Sequence, residues 1–289
     1  MKKNKILLIT GDLMPMHDYR RVNDILRTFL EASGYFEVTI TEEAHGITSE
    51  TLAPYDMVLL NYDGMSEGIQ RGGNGRTFPA AGSSNPDNFV RPFVPLGEPT
   101  SSALVDFVAN GKGIFFFHTA ASGNNNGWPE VFSDLRGSLY GVKELKPYKD
   151  LGYSVVTHHE SGHPVTAGVA DTWKIADDDF LNGATLKEGT TVIASIYDPV
   201  NENDAPVMWC KDFGEGRSFT CALGHQEDTL RRLDFCRLLI HACDWLCNGT
   251  TELALPDRES GHNGWKSWPW YYCDCCEVLR RPLEPISYY

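Results

Sequence analysis

Cysteine is missing from the first 209 residues, and all eight cysteines lie between Cys210 and Cys276. That distribution excludes the evenly spread disulfide framework of a small secreted domain. Long apolar runs are missing too. No segment approaches the roughly 18 consecutive apolar residues that a membrane-spanning helix needs. After Met1-Lys2-Lys3-Asn4-Lys5 the apolar stretch runs only from Ile6 to Ile9, too short for the core of a signal peptide. These absences lead to the expectation of a cytoplasmic protein with no membrane partner. Positive charge is scarce as well: 25 Lys and Arg stand against 39 Asp and Glu, a formal net charge of −14 at pH 7. Nucleic-acid binding draws on clustered basic residues that displace counterions from phosphates. With no such run, the expected partner is a small neutral molecule or one held by local donors.

What is present describes an α/β protein. The 289 residues, 42% of them hydrophobic and 22% charged, supply a sizeable core at ordinary polarity. Lys5–Thr10, Phe36–Thr41, Met57–Tyr62 and Gly113–Phe117 read as strands. Val22, Ile25, Leu26, Phe29 and Leu30 recur at helical spacing, Ser101–Asn110 forms a second helix, and Pro129 opens a third with Val131, Phe132 and Leu135. Shorter strands follow at Tyr153–Thr157, Thr191–Ile196, Pro206–Lys211 and Arg217–Leu223, then a long helix from about Thr229 to Cys247. Early alternation of strand and helix implies parallel βαβ units, and the later hairpin-like strands imply an antiparallel extension. The expected architecture is a three-layer, doubly wound, mostly parallel sheet with helices on both faces. No internal repeat divides the chain. Residues 1–254 read as one domain. Within it, the Gly-, Pro-, Asn- and Ser-rich segment 64–99 reads as a long inserted loop, either a lid or an oligomer arm. Residues 255–289 form a tail with Trp265, Trp268, Trp270, Tyr271 and Tyr272. Such aromatics are expected to pack on the body or on a second subunit, which would make a homo-oligomer. Cys236, Cys243 and Cys247 fall on an apolar helix face as buried thiols. Cys273-Asp274-Cys275-Cys276 has only His262 nearby, short of a zinc-ribbon set.

Ligands of open α/β sheets bind beyond the carboxyl ends of the strands, and three histidines stand there. His17 follows the first strand, His118 ends Phe115-Phe116-Phe117, and His225 follows the last strand of the body. His118 is succeeded by Thr119-Ala120-Ala121, small residues that permit the tight turn of a nucleophile elbow. Imidazole at such a place is a general acid, a general base or a metal ligand. Glu227, in Gly224-His225-Gln226-Glu227-Asp228, either orients His225 and meets substrate hydroxyls or complements a helix dipole. Asn124-Asn125-Asn126-Gly127-Trp128 combines amides with an aromatic face suited to a sugar ring, though an Asn-rich turn also explains it. Asp177-Asp178-Asp179 is either a solvated turn or a binder of hydroxyls or a cation. His163, before Pro164, reads as structural. The catalytic candidates are therefore His118, His225 and Glu227. The substrate-binding candidates are His17, Asp18, Tyr19, Asp63, Asn124, Trp128 and Asp179.

These motifs, in order, resemble the trehalose-utilisation (ThuA-like) family. His17-Asp18-Tyr19 is similar to its His-Asp-Trp signature. Gly113-Ile114 through His118-Thr119-Ala120-Ala121 resembles its central strand, and His163-Pro164 to Gly168 with Trp173, Asp178 and Asp179 its middle block. Pro206-Val207-Met208-Trp209, Gly214-Glu215-Gly216-Arg217 and Ala222-Leu223-Gly224-His225 resemble its closing block. Departures are Tyr19 for Trp, Asp179 for an expected Glu, the 64–99 loop and the tail. The resemblance implies a flavodoxin-like fold akin to class I glutamine amidotransferases. In those enzymes the elbow bears a cysteine and a His-x-Glu follows a late strand. Here His118 occupies the elbow and His225-Gln226-Glu227 matches the late motif, so the thiolate that glutamine hydrolysis needs is missing. What the resemblance implies is a role in the metabolism of trehalose, related glycosides or their 3-keto forms. The expected enzyme is a hydrolase, isomerase or lyase whose histidines act as acid/base partners or hold a divalent metal ion. The alternative is a non-catalytic sugar-binding or regulatory protein on the same scaffold.

Overall fold

A computed structural model describes residues 2–11, 18–62, 96–121, 128–140, 146–147, 154–159, 162–175, 178, 181–198, 201–251 and 253. The chain opens with β1 (Asn4–Gly11), α1 (Tyr19–Ala32), β2 (Phe36–Thr41), the short α2 (Ser49–Leu52), β3 (Met57–Tyr62), α3 (Thr100–Ala109) and β4 (Gly113–Phe117). It continues through α4 (Val131–Arg136), β5 (Ser138–Tyr140), β6 (Lys146–Pro147), β7 (Ser154–His158), β8 (Thr172–Ile175), β9 (Leu181–Asn182) and β10 (Ala184–Leu186). It closes with β11 (Thr190–Asp198), β12 (Asn203–Phe213), β13 (Gly216–Cys221), α5 (Glu227–Leu230) and α6 (Leu233–Asn248).

One sheet of nine strands organises the molecule, in the order β2-β1-β3-β4-β13-β12-β11-β7-β8. The first five are mutually parallel, and the remaining four add antiparallel. This is the expected doubly wound sheet with its antiparallel extension. The pleat explains the three layers. Ile6, Leu8, Met57, Leu59, Phe115 and Phe117 enter the core under α1 and α6. Their neighbours Leu7, Ile9, Val58, Leu60, Ile114 and Phe116 enter the opposite core with α3 and α4. Strands buried on both faces therefore read as unbroken apolar runs. Gly113 sets the approach of α6, because a methyl group there would lie 2.6 Å from the Leu246 carbonyl oxygen.

The short elements α2, β5, β6, β9 and β10 were not part of the sequence reading, and two further features differ from it. The long helix expected from Thr229 is broken, because Arg232 adopts an extended conformation (ψ 135°) and caps α6. The strand β8 was not anticipated. Its four residues alternate exposed and buried, with only Trp173 and Ile175 facing inward, too short a pattern to stand out. The thiols of Cys236 and Cys243 are buried and that of Cys247 is half-buried, and burial pushes the last two well above the ordinary range. Of segment 64–99 only residues 96–99 are described. The tail from residue 255 lies outside the described residues, as do its Cys273-Asp274-Cys275-Cys276 cluster and its expected subunit contact. Among the described residues no helix is long and apolar enough to cross a membrane.

Candidate active site

The strands β4 and β13 are parallel neighbours, with Phe117 opposite Cys221 at their carboxyl ends. The residues that leave those ends are therefore brought side by side. His118 follows Phe117 with φ 46°, the left-handed region that non-glycine residues enter sparingly. This sharp elbow turns its imidazole towards β13, where it is 7% exposed. His118 Nδ1 lies 3.1 Å from the Ala222 carbonyl. A carbonyl only accepts, so the proton sits on Nδ1 and the lone pair on Nε2. Burial, reinforced by the neighbouring His225 ring, pushes His118 down to about 4, so it is neutral at physiological pH.

His225 Nδ1 lies 3.3 Å from that lone pair, and the rings meet edge to face with centroids 5.3 Å apart. Because His118 Nε2 is the acceptor, His225 donates through Nδ1–H. In neutral His225 the second lone pair is then on Nε2. His118 is buried and His225 only half-buried, so the relay runs from a fixed inner ring to an outer one.

The turn that carries His225 is fastened from outside the parallel sheet. Asp178, which follows β8, accepts from the Gly224 backbone N–H at 3.0 Å through Oδ2 and from the Gln226 N–H at 2.9 Å through Oδ1. Gly224 has φ +108°, and a Cβ there would lie 2.4 Å from the Phe117 ring, so only glycine fits between the elbow strand and this turn.

The remaining candidates are placed as follows. Glu227 does not hydrogen-bond either imidazole. One of its oxygens pairs with Arg21 Nε on α1, and the other accepts from Arg231 Nη2 at 2.6 Å. The Arg231 side chain is fully buried, and among the described residues its Nε and Nη1 have no hydrogen-bond partner. Desolvation lowers the Arg231 pKa, against the pull of Glu227. Asp18 caps α1, accepting from the Arg21 N–H at 3.2 Å. Tyr19 is half-buried beneath the Arg20 guanidinium, 5.2 Å from its ring centre. Trp128 is 6% exposed and packs edge-on against Phe132 at 5.3 Å, with no partner for its indole N–H among the described residues. His17, Asp63, Asn124 and Asp179 lie outside the described residues. His163 accepts from the Val165 N–H at 3.2 Å, at the N-cap of a short 3₁₀ turn. Among the described residues no cluster of three or more His, Cys, Asp or Glu side chains is arranged to hold a metal ion.

The sequence reading missed the fastening role of Asp178 and the part of Arg21 and Arg231. The acidic run at 177–179 was visible, but nothing local singles out Asp178, which is 6% exposed.

Comparison with known proteins settles the family. A family model described as trehalose utilisation, ThuA, matches residues 94–246, the stretch that contains both histidines and Asp178. The chain belongs to the ThuA family. Among solved structures, a ThuA-like protein from Parabacteroides merdae superposes with a TM-score of 0.63 at 21% identity, covering 88% of this chain and 94% of that one. A ThuA-like protein from Bacteroides uniformis gives 0.61 at 16% identity, covering 90% and 96%. A cytoplasmic protein from Salmonella typhimurium gives 0.54 at 14% identity, covering 84% and 99%. At these identities the likenesses establish a shared ThuA fold and nothing about chemistry. No curated protein matches the chain in sequence.

Proposed function

We propose that this ThuA-family protein is an enzyme of carbohydrate metabolism that moves a proton on a sugar or keto-sugar. In this reading His225 is the acid/base group and His118 holds it in place. The observation that carries it is the 3.3 Å contact between His225 Nδ1 and the Nε2 of a buried, neutral His118. A general base must present its lone pair to substrate and keep its other nitrogen engaged. Here the inner ring supplies that engagement without competing for the proton. His225 Nε2 takes a proton from a substrate hydroxyl, or from the carbon beside a keto group. The substrate O–H or C–H bond breaks, the His225 Nε2–H bond forms, and the His225 Nδ1–H keeps its hydrogen bond to His118 Nε2. Return of that proton to a different atom gives isomerisation. Its delivery to the glycosidic oxygen as the C–O bond breaks gives elimination, and addition of a water molecule across the resulting double bond completes hydrolysis. The cysteine of a glutamine amidotransferase is replaced at the elbow by His118, so amide hydrolysis through a thioester is not part of the reading.

The test is turnover by the full chain of a panel of disaccharides and their 3-keto forms, with and without added divalent metal. His225→Ala should lower kcat by about 10²–10⁴-fold, the range ordinary for a lost acid/base group. His118→Ala should lower kcat with little change in KM. Turnover that survives both substitutions sinks the proposal. Tight sugar binding measured by calorimetry, with no chemical change in the ligand, would point to a binding protein instead.

A further inference from the structure

We infer that Asp178 is the positioning residue of the histidine pair: its carboxylate fixes the turn that sets His225 against His118. The inference rests on the reading of His225 as the proton-transfer group, and it concerns geometry that can be measured without substrate.

The two backbone amides that flank His225 both donate to Asp178, Gly224 N–H at 3.0 Å and Gln226 N–H at 2.9 Å. A carboxylate oxygen on each side of one residue leaves that residue little freedom in its own backbone torsions, so the Cα–Cβ direction of His225 is set by Asp178. The same short segment also sets His118. Ala222 donates its N–H to the Val207 carbonyl at 2.8 Å and offers its own carbonyl to His118 Nδ1. Residues 222–226 thus hold one ring by a backbone acceptor and carry the other as a side chain. The fastenings at the two ends of the segment are Val207 and Asp178. Gly224, pressed against Phe117, prevents the segment from shifting towards the elbow, and Asp178 prevents it from lifting away.

A buried carboxylate is costly to desolvate, and it is retained where several donors satisfy it. Asp178 is such a group. It reaches the site from the antiparallel extension, immediately beyond β8, whereas both histidines come from the parallel half of the sheet. The extension therefore contributes a clamp to the site. This gives the second member of the acidic run at 177–179 a role that neither a solvated turn nor a direct sugar contact describes.

The experiment uses the full chain with nitrogen-15-labelled histidine, and NMR identifies which ring nitrogen of His225 and of His118 carries the proton. In the wild type both neutral rings should be protonated on Nδ1, the tautomer less favoured by free imidazole. In Asp178→Asn one acceptor becomes an NH₂ that faces a backbone N–H. His225 should then lose its Nδ1–H signature and revert to the Nε2–H form, while thermal unfolding remains cooperative. A folded Asp178→Asn protein whose His225 keeps the Nδ1–H tautomer overturns the inference. Should the variant not fold, the wild type still decides. In wild type labelled uniformly with nitrogen-15 and carbon-13, couplings transmitted across hydrogen bonds are expected from the Gly224 and Gln226 amide nitrogens to the Asp178 carboxyl carbon, and their absence overturns the clamp. Where a turned-over sugar is in hand, Asp178→Asn should lower kcat and leave KM nearly unchanged. A changed tautomer in a protein that turns over no sugar would sink the functional reading and leave the positioning role standing.

Discussion

The depressed pKa of His118 makes a stability prediction that can be worked through in full. His118 falls from an ordinary 6.5 to about 4 because the folded protein buries its ring and places another imidazole against it. Above pH 6.5 the ring is neutral in both folded and unfolded chains and contributes no pH dependence. Between pH 6.5 and about 4 the unfolded ring binds a proton that the folded ring refuses. Protons then favour the unfolded state, and stability falls as pH falls. Below about 4 the folded ring protonates as well and the loss levels off. At about 1.4 kcal/mol per pH unit the whole window is worth about 3 kcal/mol, and the step from pH 7 to pH 5 about 2 kcal/mol. His118→Asn removes the titration with small disturbance, since asparagine tolerates positive φ and its amide N–H₂ can still donate to the Ala222 carbonyl. Urea unfolding of both proteins at pH 7 and pH 5 isolates the effect. The carboxylates and the similarly depressed His241, at about 4, are common to both chains and cancel in the difference. The wild type should lose about 2 kcal/mol more than the variant over this step. Parallel stability curves would show that His118 is not buried in neutral form and would undo the tautomer assignment built on it.

Gly224→Ala forces a side chain into a positive-φ position and drives its Cβ to 2.4 Å from Phe117 and 3.1 Å from Leu230. It should cost about 2–4 kcal/mol in denaturant unfolding, and a loss below about 0.5 kcal/mol would mean the turn is looser than described. Glu227→Ala strips the fully buried Arg231 side chain of the one carboxylate that bonds it among the described residues, leaving only the more distant pull of Asp228. It should destabilise the protein by about 2–4 kcal/mol, with Arg231→Met in the same chain recovering part of the loss; no recovery would place the cost elsewhere. The thiols of Cys221 and Cys243 are buried, and burial holds both above the ordinary thiol range. Peptide mapping should find them unlabelled by maleimide until the chain is unfolded, and rapid native labelling would contradict the core packing.

The parallel half of the fold was legible because its central strands β1, β3 and β4 are buried on both faces and each carries its own signal. Lys5–Thr10, Met57–Tyr62 and Gly113–Phe117 are apolar runs closed by turn residues, and the observed strands agree to within a residue or two. Strand β8 shows the limit, since two inward residues in four carry no periodicity worth reading. The break between α5 and α6 shows another. The apolar spacing from Leu230 to Leu246 continues through it, and only the extended backbone of Arg232, with Arg231 turned back to Glu227, interrupts the helix. Backbone conformation at one residue can override a pattern that every side chain supports.

The candidate site divides along the same line. His118 and His225 could be picked out because each ends a recognisable strand, and parallel strands deliver their ends to one edge. That argument puts two residues near each other but does not fix their hydrogen bonds. The proton positions follow from the Ala222 carbonyl, a backbone atom 104 residues from His118, and no side-chain pattern encodes it. Glu227 shows the converse case. Its spacing from His225 matches the amidotransferase motif, and in the folded chain its oxygens face Arg21 and Arg231. Sequence proximity favoured the imidazole, and charge decided otherwise, because a buried guanidinium one helical turn away requires a counter-charge. Asp178 follows from the same accounting. Two backbone amides at this turn must find acceptors, and the carboxylate that meets them, Asp178, lies in the antiparallel extension. The requirement can be foreseen for any such turn, but the residue that meets it emerges only once the extension is folded against the parallel sheet.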